Sequence, residues 1–84
     1  MTKKKPIKYH KQDIMDKVSI NCQDFRIAQG VTQGDVAREV QCSIENVSAF
    51  ENSRNDNYII LLWYLNHGMS ISELLKGVDL CQQK

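Results

Sequence analysis

The side chains best placed to do chemistry lie between Gly30 and Glu51, in the string GVTQGDVAREVQCSIENVSAFE. Within it, 44 to 51 reads as a short helix in which Val47 and Phe50, spaced i, i+3, turn inward. Ile44, Glu45, Asn46, Ser48 and Ala49 then turn outward or partly outward. One exposed face thus combines a carboxylate, an amide and small apolar groups. Such a set recognises a surface by hydrogen bonds and contact; it does not make or break bonds.

Catalysis finds no comparable cluster. His10 sits in a lysine-rich start and His67 near a helix end, neither with a Cys or carboxylate at triad or metal-ligand spacing. Gly30 and Gly34 do not form a phosphate loop, because no strand precedes them and the lysine of such a loop is missing. The chain reads as non-enzymatic, with no cofactor and no metal.

Two elements must position the outward face, and both are signalled locally. Thr32 caps a helix over 33 to 40 by accepting from the backbone N–H near Asp35, and Val31 packs on Val36 as a staple. In that helix Val36, Ala37 and Val40 share one face, while Arg38 and Glu39 point to water. Ser43, eleven residues after Thr32, repeats the cap with Cys42 and Val47 as its staple. Two capped helices so closely spaced have the layout of a helix-turn-helix, which sets its second helix in a DNA groove.

The string Arg26, Gly30, Thr32, Gln33, Val36, Ala37, Ser43, Val47, Phe50, Glu51 resembles the Cro/repressor-type, or XRE, family of bacterial and phage helix-turn-helix regulators. The resemblance covers residues 13 to 77. It implies an all-α, compact five-helix lambda-repressor-like DNA-binding domain, usually a dimer on a palindromic operator. It carries Gln33 to a phosphate or base-edge contact, Ile44, Glu45, Asn46 and Ala49 to base-facing positions of the recognition helix at 44 to 51, with Ser43 at its cap a further DNA-binding residue, and Arg54 to a backbone contact just beyond. It also matches Arg26 and Glu51 to a structural ion pair joining the first helix to the end of the third. Two positions where the family commonly has glycine, after the second and third helices, are Gln41 and Ser53 here. A left-handed backbone at Gln41 costs on the order of 1 kcal/mol.

The remaining helices form the scaffold. Ile14, Val18, Cys22 and Phe25 make one stripe of a first helix running from near Asp13 to Gly30, with Ile20 and Ile27 on roughly the opposite face. These two are either a partner surface or ordinary scattered surface residues. After the polar linker 52 to 56, with Asn55 or Asp56 as cap, a fourth helix over 57 to 67 is apolar or aromatic from Tyr58 through Leu65. That is more than one face. The excess meets a second subunit, or Tyr58, Trp63 and Tyr64 lie flat on their own domain with their polar tips in water. Gly68 ends that helix, and Ser70 and Glu73 form a capping box, with Met69 and Leu74 as staple, for a fifth helix over 71 to 76. The tail at 78 to 84 begins Val78, Asp79, Leu80, an apolar stretch able to pair across a two-fold axis.

Eighty-four residues make one domain, just above the size of about 70–80 residues at which a single core suffices without staples. Cys22, Cys42 and Cys81 are odd in number and scattered, which argues against a disulfide framework or zinc site and for a reducing, cytoplasmic setting. No apolar run of about 18 residues and no signal-peptide pattern is present, so no membrane partner is expected. The net charge of +1 hides an asymmetry: residues 1 to 11 carry five lysines and no acid, which leaves −4 on the rest. Residues 1 to 12 read as a basic arm in which Lys3, Lys4 and Lys5 contact DNA phosphates or a minor groove, or as a solubilising terminus.

The resulting expectation is a transcription regulator of Cro-like or short-repressor type that occupies double-stranded DNA as a homodimer. Its alternative is a protein-interaction module of the same fold, an antirepressor, modulator or antitoxin bound to another regulator. The acidic body, the lack of Arg or Lys on the presumed reading helix and the apolar fourth helix motivate that second reading.

Overall fold

The computed structural model describes residues 10 to 78. Among them five helices and no strand occur, in the order α1 Lys11–Ala28, α2 Gln33–Val40, α3 Ile44–Glu51, α4 Tyr58–Asn66 and α5 Ile71–Leu74. The all-helical expectation therefore stands, and α2 and α3 have the limits read from their caps.

Helix α1 starts two residues before the expected Asp13. His10 takes the extended cap position without a side-chain bond, and the Ile14 N–H closes the first turn on the His10 carbonyl at 3.0 Å. Asp13 falls inside that turn, where a negative charge suits the helix N-terminus, and its carboxylate pairs with Lys17 at 3.1 Å. Residues 11 and 12 thus belong to the helix and not to the arm; residues 1 to 9, with Lys3, Lys4 and Lys5, lie outside the described residues.

Thr32 and Asp35 form a reciprocal capping box on α2, and Ser43 accepts from the Asn46 N–H at 3.1 Å to cap α3. Helix α4 is capped by Asn57, whose Oδ1 accepts from the N–H groups of Ile59 and Ile60, and not by Asn55 or Asp56. Asn55 instead accepts from the Asn57 N–H at 3.2 Å in a local turn, and Asp56 faces Lys11 at 3.9 Å on the surface. The α5 capping box forms as expected, but the helix stops at Leu74 because the Asn21 side chain of α1 donates to the carbonyls of Leu74 and Lys76, both at 2.9 Å.

Four helices end in one bond pattern, in which an N–H reaches back five residues past a left-handed residue: Val31 to Arg26, Cys42 to Ala37, Arg54 to Ala49 and Met69 to Tyr64. The left-handed residue is Gly30 or Gly68 at two of these ends and Gln41 (φ 66°) or Ser53 (φ 63°) at the others. Gln41 and Ser53 are the two positions where the resembling family commonly has glycine, and the backbone there keeps the conformation that glycine favours. Gln41 is exposed and its side chain makes no hydrogen bond among the described residues, so Gln41→Gly removes a Cβ penalty. The gain is reduced by glycine's larger unfolded-state entropy. The substitution is expected to raise stability by about 0.5–1 kcal/mol, a rise of several degrees in Tm in a chain this size. A thermal melt checks it; an unchanged or lower Tm contradicts it.

The core gathers Cys22 from α1, Val36 and Ala37 from α2, Val47 and Phe50 from α3, Ile60, Trp63 and Tyr64 from α4, and Met69 and Leu74 around α5. Ile14, Val18 and Phe25, expected on the buried stripe of α1, are only partly covered, whereas Ser19 and Arg26 are buried beside Cys22. Burial pushes the Cys22 thiol up to about 12, which leaves it unreactive at neutral pH. On α4 the three aromatics do not lie flat on the domain with wet tips: Tyr58 is 69% exposed and stands clear of it. Trp63 and Tyr64 are buried, and their polar atoms donate to carboxylates: Trp63 Nε1 to Glu39 at 2.8 Å and the Tyr64 hydroxyl to Glu51. Trp63 also stacks on His67 with ring centroids 3.9 Å apart and meets Tyr64 edge-on at 5.1 Å. No helix among the described residues is long and apolar enough to cross a membrane.

Candidate nucleic-acid interface

The C-terminal end of α3 is fixed by a buried polar knot. Arg26 reaches from α1 and grips Glu51 with two parallel bonds, Nε to Oε2 at 2.7 Å and Nη2 to Oε1 at 3.0 Å. Its third arm, Nη1, donates to the Val31 carbonyl at 2.8 Å. Gln33 of α2 donates to Glu51 Oε1 at 3.0 Å, and Tyr64 of α4 donates to Oε2. One carboxylate therefore accepts from three helices. Desolvation pushes the Glu51 carboxyl upward, but the hydrogen bonds from Arg26, Tyr64 and Gln33 outweigh it and hold the group below its ordinary range. Burial and the same carboxylate push the Tyr64 hydroxyl up, so it stays a donor. Nearby, Ser19 Oγ donates to the Phe50 carbonyl at 2.7 Å, satisfying another terminal group of α3.

With that end anchored, the N-terminal half of α3 is presented outward. Ile44 is 52% exposed, and Glu45 and Asn46 are exposed with no side-chain hydrogen bond to another described residue. Ala49 is half-buried. The Ser43 hydroxyl is occupied as the cap acceptor, though the residue is exposed. Helix α2 approaches α3 closely where it carries Gly34: a Cβ there would lie 3.6 Å from Ile44 Cδ1. Gln33, expected at a phosphate or base edge, is half-buried and has one amide hydrogen committed to Glu51, so only its second one is available for an outside acceptor. Arg54 follows α3 and is exposed. The structure brings Ser43, Ile44, Glu45 and Asn46 together in one turn, with Ala49 one turn further along.

Charge is unevenly available. The described residues hold six Lys and Arg against nine Asp and Glu. Arg26 is bound to Glu51, and Lys11, Lys17 and Arg38 each stand within 4.0 Å of an aspartate. Arg54 and Lys76 have no such carboxylate neighbour among the described residues. Among the described residues Arg54 is thus the one cation beside α3 without a carboxylate neighbour.

Two contributors to this arrangement were not read from the sequence, Ser19 and the bond of the Tyr64 hydroxyl to Glu51. The signal for Ser19 was present, since Ser19, Cys22 and Arg26 recur at helical spacing on a single stripe of α1. Tyr64 stands one turn after Ile60, the spacing of a core position, but its bond to Glu51 depends on how α4 crosses the end of α3. Among the described residues no three His, Cys, Asp or Glu side chains group to hold a metal ion. The chain matches no family model, no curated protein and no solved structure.

Proposed function

We propose that the chain is a sequence-specific DNA-binding transcription regulator of lambda-repressor-like, XRE type, which lays α3 in the major groove of a palindromic operator. The observation that carries the reading is the exposed first turn of α3. Ile44, Glu45 and Asn46 stand clear of their own domain on a helix whose other end is locked to α1, α2 and α4. A groove-reading helix needs both features, free side chains at its N-terminal end and a rigid seat. Arg54 and the lysines of residues 1 to 11 supply phosphate contacts, and the second amide hydrogen of Gln33 supplies another.

A homodimer accounts for the apolar surface left on α4, where Tyr58, Ile59 (48% exposed) and Leu62 (45% exposed) stay uncovered. The same surface favours the second reading, an interaction module that binds another regulator, as an antirepressor or antitoxin does.

Backbone amide shifts of the labelled protein, followed while a mixed-sequence duplex is added at low salt, separate the two. Shifts concentrated at Gln33, Ser43 to Asn46, Ala49 and Arg54 are expected. No shifts, or shifts confined to Tyr58, Ile59 and Leu62, would contradict the DNA reading.

A further inference from the structure

The burial pattern of α3 fixes which side chain points most directly away from the domain. Val47, Phe50 and Glu51 are at most 3% exposed and mark the inward face. With 3.6 residues per turn, the positions diametrically opposite are Glu45 and Ala49. Ala49 offers only a methyl group, so Glu45 is the one long side chain at the centre of the outward face. Ile44 flanks it on the side of Gly34, and Asn46 flanks it on the side of Asn55, whose amide reaches the Asn46 carbonyl at 3.5 Å. The Glu45 carboxylate sits in the first turn of α3, where its charge suits the helix N-terminus, yet it has no hydrogen-bond or ion-pair partner among the described residues, so both its oxygens are open to a donor from outside.

A carboxylate only accepts hydrogen bonds. In the major groove guanine presents two acceptors and thymine an acceptor and a methyl, and neither gives it a partner. Adenine's N6 donor lies between its own N7 and the paired thymine's O4, two acceptors that repel a carboxylate, whereas cytosine's N4 donor has an acceptor on one side only, the paired guanine's O6. We infer that Glu45 is a specificity-determining residue and that it selects cytosine at one position of each half-site. The inference rests on the reading of α3 as the groove helix. It also explains why an acid stands on a surface meant for a polyanion: Glu45 lowers affinity for every duplex through phosphate repulsion, and only a cytosine amino group offsets that loss. Specificity here comes from penalising the wrong base as much as from rewarding the right one.

The test is parallel selection of bound duplexes from a random library by the full chain, its Glu45→Gln variant and its Glu45→Ala variant. Wild type is expected to enrich a motif with cytosine at one position per half-site. Glu45→Gln, whose amide both donates and accepts, is expected to switch that position to adenine and leave the others unchanged. The cytosine-to-adenine preference should move by tenfold or more in direct competition. Glu45→Ala is expected to flatten that position alone. Because Glu45 is exposed and its first-turn charge is worth no more than about 1 kcal/mol, both variants should melt within a few degrees of wild type, which shows that a changed motif is not misfolding. A wild-type motif that both variants select unchanged overturns the cytosine inference and leaves the DNA reading standing. No motif from wild type overturns the DNA reading, and the inference falls with it.

Discussion

Replacing Glu51 by alanine is expected to destabilise the protein by about 3–5 kcal/mol, because it strands the buried Arg26 guanidinium without its counter-charge. The same change removes the acceptor used by Gln33 and Tyr64. Against a total stability of about 5–15 kcal/mol for a domain, that removes a third or more at the middle of the range and leaves a sizeable unfolded fraction at its low end. Tyr64→Phe keeps the ring packing against Phe50 and Trp63 and deletes one bond to a charged acceptor, so it should cost less, about 1.5–3 kcal/mol. Urea melts followed by the fluorescence of Trp63, the single tryptophan, measure both. A loss below 1 kcal/mol for Glu51→Ala would show that the knot does not hold α3 in place.

The same knot sets a pH dependence of definite sign. Since the folded protein holds the Glu51 carboxyl below its ordinary value, the folded chain binds fewer protons at this site than the unfolded chain does. Its contribution is complete above the ordinary glutamate range near about pH 4 and is lost as pH falls through the lower folded value. Acid should therefore unfold the wild type earlier than it unfolds a variant whose α3 is held by apolar packing alone.

Removing residues 1 to 9 is expected to weaken DNA binding without changing which sequence is preferred. The segment carries Lys3, Lys4, Lys5 and Lys8, and the deletion removes no residue of the five helices, of which α1 begins at Lys11. If all four lysines displace counterions from the duplex, the slope of log affinity against log salt should shrink in magnitude by about 3 to 4. The described residues have more acids than bases, and among them Arg54 is the one cation next to α3 without a carboxylate neighbour, so little else there can supply that dependence. Anisotropy titrations of the full and shortened chains across a salt series give both slopes. Equal slopes would assign the lysines no part in binding. An altered sequence preference would mean that the segment reads bases as well as phosphates.

How far the sequence foretold this arrangement depends on the range of each interaction. Helices α2 and α3 were legible to the residue, because Thr32 and Ser43 each cap a helix only two or three positions away and the staple pairs lie as close. The start of α4 was not: Asn55, Asp56 and Asn57 are all competent caps, and only the backbone path decides which one faces the free N–H groups. The end of α5 depends on Asn21, more than fifty residues earlier, and no local pattern carries that. Glu51 looks like any acid at a helix end, so its pairing with Arg26 came from a family resemblance, and its bonds to Tyr64 and Gln33 emerged only from the packing of three helices on α3. The outward set at Ile44, Glu45 and Asn46 was legible, since helical period and the inward Val47 and Phe50 suffice to define it. The half-buried state of Gln33 was not legible, because it follows from the position of Glu51 in space.

The central claim, that α3 reads a defined DNA sequence, is tested most directly by selecting bound duplexes from a random library and titrating the winners against salt. An enriched palindrome is predicted, with half-sites about 34–36 Å apart and an affinity of about 10 nM or tighter at physiological salt. No enrichment, or binding that vanishes at physiological salt, would contradict the claim and turn attention to a protein partner on the apolar surface of α4.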